Sequence, residues 1–321
     1  MHTIFTVDVE GHVGSDPVER LIYGKTTNGS LCGIDMLMDI LDNYNMRGLF
    51  FVDIAEAWDY GKNKIADVLM HIEQRGHDVG VHIHPDHMAD KSKLFLSDYT
   101  YEQQYTMIKK CTDFYENILG HKPLAFRAGK YGANRATLDI LAELGYRVDF
   151  SEFYGQKWCH INPPIAKMNV TKLENGLLEI PVTSFKSFKL GSYTRYDKID
   201  CGQSLSEHKT VIELLEKNGN DIAVLFAHSF SLIKWRRTPN KPRLNKKQKK
   251  KLERQLDYVQ KSTNLQNISL QETIEFYANT DNRSASIDNI VSLTGFKTLI
   301  WFAMRAIQVL QSRFDIKFRS L

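Results

Sequence analysis

Two short stretches decide how this chain folds: Ile4-Phe5-Thr6-Val7-Asp8-Val9-Glu10 and Asp78-Val79-Gly80-Val81-His82-Ile83-His84. Each is apolar enough for a buried strand, yet each carries polar side chains at alternate positions towards its end. Side chains alternate across a strand, so Asp8 and Glu10 share one face while Phe5, Val7 and Val9 share the other. The same alternation pairs His82 with His84 and sets Val79, Val81 and Ile83 behind them. Strand candidates rich in Val, Ile and Phe lie at residues 3–9, 48–54, 78–84, 124–127, 146–150 and 222–228. Arg127, Asp149 and His228 mark the ends of the last three.

Helical patterns fill the gaps. Residues 64–75 space Ile65, Val68, Leu69 and Ile72 for one helix face and stop at Gly76. Asn134 is placed to cap a helix carrying Leu138, Leu141 and Leu144, closed by Gly145. Residues 206–218 repeat the pattern with Val211, Leu214 and Leu215 before Gly219. Ser269-Leu270-Gln271-Glu272 has capping-box spacing ahead of Ile274 and Phe276. Regular alternation of strand and helix predicts an α/β fold with a mainly parallel sheet, open or closed into a barrel, over residues 1–280. Asn175-Gly176, between the alternating runs of residues 170–182, predicts a β-hairpin decorating that sheet.

The C-terminal rim of a parallel sheet is where ligands and catalytic groups gather. Asp8, Glu10, His82, His84, Arg127, Asp149 and His228 are therefore expected to converge. Two histidines and a carboxylate with an open position form the ligand set of a hydrolytic metal centre. His87, after Pro85-Asp86, is either a further ligand or a loop residue. Arg127 either pairs with Asp8 structurally or orients it for catalysis, and the two roles overlap.

The chain has 321 residues, 42% hydrophobic and 25% charged, with a mean hydropathy of −0.36, which excludes a disordered chain and a polytopic membrane protein. Its net charge of +4 is unevenly placed: residues 234–254 hold eleven Lys and Arg against Glu253 alone, a basic arm on an acidic body. Two readings stand for that arm, attraction of phosphate or an anionic leaflet, or the solvated face of a helix running on to Leu256 and Val259. Trp235 is its only aromatic residue, which argues against nucleic-acid binding. Residues 281–321 form a basic amphipathic tail, with Leu299, Ile300, Trp301 and Phe302 at its centre. Its apolar run falls short of the roughly 20 residues needed to span a bilayer. It is read as a helix lying in a membrane interface or as a terminal helix packed on protein. Cys32, Cys111, Cys159 and Cys201 are scattered without a CxxC pair, so neither a zinc finger nor a disulfide framework is expected. With no basic and apolar leader at the start, the expected location is the cytoplasm, with peripheral contact to the inner membrane face through the tail.

Taken in order, four motifs carry a resemblance. They are Thr6-Val7-Asp8-Val9-Glu10; Gly76-His77-Asp78 with His82-Ile83-His84-Pro85; Phe126-Arg127-Ala128-Gly129-Lys130-Tyr131-Gly132; and Leu225-Phe226-Ala227-His228. Together they resemble the polysaccharide deacetylases, also called NodB-homology or carbohydrate esterase family 4 proteins. The resemblance implies a distorted (β/α) barrel with a β-hairpin insertion and a C-terminal helical tail. It also implies metal-dependent hydrolysis of an N-acetyl group from an amino sugar that is nucleotide-linked, lipid-linked or part of a surface glycan.

Carried over by position, the resemblance makes Asp8 the general base. Val9 stands where the family has a metal-binding Asp, and Glu10 is the candidate substitute. His82 matches the first imidazole ligand and His84, by its following proline, the second, with His87 in reserve. Arg127 matches the arginine that positions the base, and Tyr131 lies in the segment that holds the oxyanion, with Gly129 where the family has proline. His228 matches the general acid, and Asp149 is a candidate to orient it. The implied cofactor is a divalent cation, zinc first, with cobalt, iron, nickel or manganese as alternatives. Two other readings stay open: hydrolysis of another linear or cyclic amide without metal, for which the loss of Asp at Val9 speaks, and a non-catalytic relative that binds a glycan or lipid carrier.

Overall fold

In the computed structural model, residues 1–11, 15–161, 168–234, 240–278, 291–293, 298–301 and 303 are described. The chain begins β1 (His2–Val9), α1 (Ile34–Asn43), β2 (Gly48–Asp53), α2 (Ala57–Tyr60), α3 (Lys62–Gln74), β3 (Asp78–Ile83), α4 (Tyr101–Leu119), β4 (Ala125–Ala128), α5 (Arg135–Glu143) and β5 (Val148–Asp149). Four strands follow without a helix, β6 (Lys172–Glu174), β7 (Leu177–Glu179), β8 (Ser184–Leu190) and β9 (Tyr193–Lys198). The remainder is α6 (Leu205–Lys217), β10 (Ile222–His228), β11 (Ile233–Lys234), β12 (Arg243–Leu244), α7 (Lys246–Lys261), β13 (Gln266–Asn267) and α8 (Leu270–Ala278).

The main sheet runs β10-β1-β2-β3-β4-β5-β7-β6, parallel from β10 to β7, and β13 adds to the start of β1. It curls into a half-barrel, so both faces of its strands are buried, and this is why they read as apolar almost throughout. On the outer face Phe5, Val7, Phe50, Val81 and Phe126 meet the helices at Leu41, Leu69, Ile108 and Leu141. On the inner face Ile4, Leu49, Phe51, Val148, Phe150 and Val224 fill the barrel. Each such side chain contributes roughly 1.5–3 kcal/mol when fully buried. Gly80 faces inwards, and a Cβ there would lie 2.6 Å from the Phe51 ring, so the glycine is what admits that ring to the interior.

The helix signals hold. Asn134 accepts the N–H of Thr137 at 3.1 Å, and Ser269 and Glu272 cap each other reciprocally, with Ser269 N–H donating to Glu272 at 2.7 Å and Glu272 N–H to the Ser269 hydroxyl at 3.2 Å. The Asn175-Gly176 hairpin is present too, with φ of 51° and 80° at its two turn residues, the type I′ geometry that Asn-Gly favours. It is not a decoration, however. Leu178 pairs with Val148, so β7 and β6 continue the main sheet at its edge. The hairpin that stands apart is β8–β9, which sequence periodicity did not single out.

Of the basic arm, residues 235–239 lie outside the described residues. The rest is largely α7, which buries Leu252, Gln255, Leu256 and Val259 and leaves Lys246, Lys247, Lys250 and Arg254 exposed, while Lys251 donates to the Gly202 carbonyl. The tail at residues 281–321 lies outside the described residues except for 291–293, 298–301 and 303. Among the described residues no helix is long and apolar enough to cross a membrane, and all four cysteines are free.

Candidate active site

Strand register fixes which side chains meet. Asp8 pairs with His228 across β1 and β10, and His82 pairs with Arg127 across β3 and β4, all on the inner face at the C-terminal rim. Glu10, one step past β1, reaches His84 Nε2 at 2.8 Å, His82 Nε2 at 3.8 Å and His228 Nε2 at 3.5 Å. Glu10, His82 and His84 each offer a donor atom within 4.8 Å of the others, and all three are buried. Beside them Arg127, with no exposed surface, donates to Asp8 at 2.6 Å, to Thr6 Oγ1 at 3.1 Å and to the Phe150 carbonyl at 3.3 Å. Its guanidinium lies 4.3 Å over the Phe51 ring. Arg127 is therefore the buried ion-pair partner of Asp8.

The donor set fits a divalent cation. His82 Nδ1 is 2.8 Å from the Arg127 carbonyl, which fixes the proton on Nδ1 and leaves the Nε2 lone pair for a metal, the usual support for a ligating imidazole. Separations of 2.8 and 3.8 Å from Glu10 bracket the ~3.4 Å edge of a tetrahedron with bonds of about 2.1 Å. Burial would depress the basicity of His82, but the carboxylates of Asp8, Glu10 and Asp53 around it lift it to about 9. So much negative charge is the setting a dication neutralises. Burial alone would raise the Asp8 pKa; the facing Arg127 overrides it and holds the carboxyl below its usual range.

Residues 28–148 match the family model described as polysaccharide deacetylase. Over that segment, less than half of its length, the chain is similar to the polysaccharide deacetylases. Members of this family are amide hydrolases acting on N-acetyl groups. The fold agrees. A structure described as that of a polysaccharide deacetylase from Mycobacterium smegmatis superposes with a TM-score of 0.57 at 17% identity, over 86% of this chain and 89% of its own. A counterpart from Pseudomonas aeruginosa PAO1 gives 0.56 at 13% identity, over 88% and 92%. The Puue allantoinase gives 0.55 at 11% identity, over 87% and 91%. No curated protein sequence matches the chain.

Two of the residues expected at this site lie elsewhere. Asp149 is on the opposite face of the sheet: Val148 and Phe150 point into the barrel, so Asp149 points out, where it accepts from Ser151 Oγ at 2.7 Å and stands opposite Glu179 of β7. It does not orient His228. His87 is not a spare ligand for the first set, because the short turn Pro85–His87 swings it towards Asp53 and Glu56, within 4.8 Å of both. Gly129, standing where the deacetylases have proline, has a local cause. A Cβ there would lie 2.6 Å from the Ile83 carbonyl and 2.8 Å from the His84 ring. The next two residues, Lys130 and Tyr131, hold left-handed φ values of 52° and 60°, a strained pair of the kind that gathers at functional sites.

Sequence reasoning missed Asp53, Glu56 and Lys198. Asp53 was legible, since it ends β2 in step with the inward-facing Leu49 and Phe51. Lys198 had no local signal. It arrives on the β8–β9 hairpin, donates to the Tyr131 hydroxyl at 2.5 Å and sits over the Phe226 ring, which stands perpendicular to the His228 ring with centroids 4.7 Å apart. Burial lowers its pKa to about 8. Beyond it opens a cavity of about 310 Å³ lined by Tyr131, Phe153, Trp158, Tyr196, Gln156 and Asp200 among others.

Proposed function

We propose that this chain removes the acetyl group from an N-acetylated amino sugar, using the rim residues of residues 1–280 as one catalytic unit. One observation carries the reading: a buried carboxylate–imidazole–imidazole set stands beside an Asp8 already held anionic by Arg127, with His228 across from it. A divalent cation held by Glu10, His82 and His84, zinc in the first instance, would polarise the amide carbonyl and acidify water. Asp8 takes a proton from the attacking water as its oxygen bonds to the carbonyl carbon. The Gly129–Tyr131 turn supplies peptide N–H groups to the oxyanion. His228, stacked on Phe230 at 4.8 Å and held through its N–H to Ser231 at 2.8 Å, gives its proton to the departing nitrogen. The C–N bond breaks, leaving acetate and a free amine.

The cavity supports a reading of the substrate class. Its aromatic walls suit the apolar face of a sugar ring, and Lys198, with the basic end of α7 nearby (Lys251 donates to the Gly202 carbonyl at 2.6 Å), suits an attached phosphate. We therefore assign nucleotide-linked or lipid-linked N-acetyl sugars of surface-glycan synthesis as substrates, with residues 281–321 docking the enzyme on the inner membrane face. The test is acetate release from a panel of such sugars, with neutral N-acetyl oligosaccharides and cyclic amides alongside, in the presence and absence of Zn²⁺, Co²⁺ or Mn²⁺. Metal-dependent acetate from the phosphate-bearing sugars is expected. Turnover of the cyclic amides alone, or activity untouched by chelation, would overturn the assignment.

A further inference from the structure

Asp53 closes β2, Glu56 lies in the turn that follows, and His87 ends the turn after β3; their donor atoms lie within 4.8 Å of one another. Both carboxyls have no exposed surface. Each spends one oxygen on backbone. Asp53 Oδ1 accepts the N–H groups of Ala55 at 3.1 Å and His84 at 3.2 Å, and Glu56 Oε1 accepts that of Gly11 at 2.6 Å. The other oxygens, Asp53 Oδ2 and Glu56 Oε2, are buried without a hydrogen-bond partner. His87 Nε2 stands 3.9 Å from Asp53 Oδ2 and 4.0 Å from Glu56 Oε1, too far for hydrogen bonds. Its Nδ1, 2.7 Å from Asp59 Oδ2, is engaged as a donor, so Nε2 turns a lone pair inwards.

Two buried carboxyls with stranded oxygens are costly unless something positive joins them. Protons are the competing occupant: burial, and then the charge of Asp53, push Glu56 well above the carboxylate range. A proton on Glu56 leaves the His87 lone pair and the second Asp53 oxygen unanswered, whereas a cation at the centre of the triad answers all three. We propose that Asp53, Glu56 and His87 bind a second divalent transition-metal ion, sharing no ligand with the Glu10–His82–His84 set. The imidazole favours Zn²⁺, and Mn²⁺ to a lesser degree, over Ca²⁺ or Mg²⁺. Its role is to position the first set. Asp53 and Glu56 hold the backbone of His84 and of Gly11, next to Glu10, so metal at the second site locks two ligands of the first. The proposal is independent of which bond the first set cleaves.

The test is metal counting on the full-length protein, stripped with chelator, dialysed against Zn²⁺ or Mn²⁺ alone and passed through a desalting column. Two equivalents are expected in the wild type, and one in Glu56→Gln, in His87→Gln and in His82→Ala. His87, whose side chain is 14% exposed where that of Glu56 is fully buried, makes its variant the safer one should Glu56→Gln fail to fold. In the His82→Ala background, added Zn²⁺ should still raise the melting temperature, and His87→Gln should abolish that rise. One equivalent in the wild type that survives both Glu56→Gln and His87→Gln would mean that protons occupy the triad. Two equivalents that survive them, or no uptake at all, overturn the proposal equally.

Discussion

Arg127→Met tests the physical heart of the site, because it removes the cation that faces Asp8 while keeping much of the side chain's bulk. The guanidinium is completely buried, sits 2.6 Å from Asp8 and makes two further hydrogen bonds. Removing one partner of a buried pair costs about 3–5 kcal/mol, since the other charge is left without compensation. Here His82, His228 and Lys198 also lend Asp8 positive potential, which places the loss in the lower half of that range. Asp8→Asn keeps the shape and an acceptor oxygen for Arg127, and loses about 1.5–3 kcal/mol of charge-assisted bonding. In the double variant no charge is stranded, so its loss should fall short of the sum of the singles by about 2 kcal/mol. Urea unfolding followed by circular dichroism at neutral pH and fixed metal content gives all four corners of the cycle. Singles that add to within about 0.5 kcal/mol would mean that the pair does not interact as its geometry requires. Acetate release, assayed on the same proteins, should be nearly lost in Asp8→Asn.

Other expectations follow from single residues. His208 is buried with neither ring nitrogen hydrogen-bonded, and burial lowers its pKa to about 4. The unfolded chain therefore binds a proton that the folded one refuses. Its contribution is complete above about pH 6.5 and drains away as pH falls towards 4, by up to roughly 3 kcal/mol, and His208→Leu should flatten the dependence of the urea midpoint on pH across that window. Gly129→Ala should press on the His84 ring, 2.8 Å from the new Cβ, and on the Ile83 carbonyl at 2.6 Å, lowering acetate release and metal affinity about tenfold and destabilising the fold by about 1–3 kcal/mol in urea. Asn175→Ala, at φ 51°, should destabilise by about 1 kcal/mol in urea, and Asn175→Gly should not. An alanine variant as stable as the wild type would mean that the β6–β7 turn tolerates any residue.

How far the sequence discloses this molecule depends on whether a residue's neighbours come from its own strand or from a distant one. Alternation within β1 and β3 is a local fact, and it suffices to put Asp8, Glu10, His82 and His84 on one face. The parallel sheet follows from the same strands and the helices between them. Asp149 shows the limit of that logic. Standing near a strand's end is not enough, because the face depends on parity, and the inward residues of β5 are Val148 and Phe150. Lys198 and Tyr196 show a second limit, for they reach the cavity on a hairpin outside the main sheet, joined to β10 by the bridge of Asp200 to Phe226 that follows it.

Asp53 and Glu56 are the more instructive omission. The rule that found Asp8 also finds Asp53, two positions after the inward-facing Phe51, but a single acid at a strand end looks like ordinary capping, and Asp53 does accept the N–H of Ala55. What separates a cap from a ligand is the fate of the second oxygen, and that is decided by His87, brought in from a turn more than thirty residues further along the chain. The same turn carries His84, so a single loop feeds one imidazole to each triad. The spacing of His84 and His87, which read as ligand and reserve, is better understood as the means by which two neighbouring carboxylate clusters are each completed. If so, the loss of an Asp at Val9 is not a step towards metal independence. Glu10, one residue further along, reaches the same imidazoles from the rim, and the peptide N–H of Gly11 beside it is anchored to Glu56.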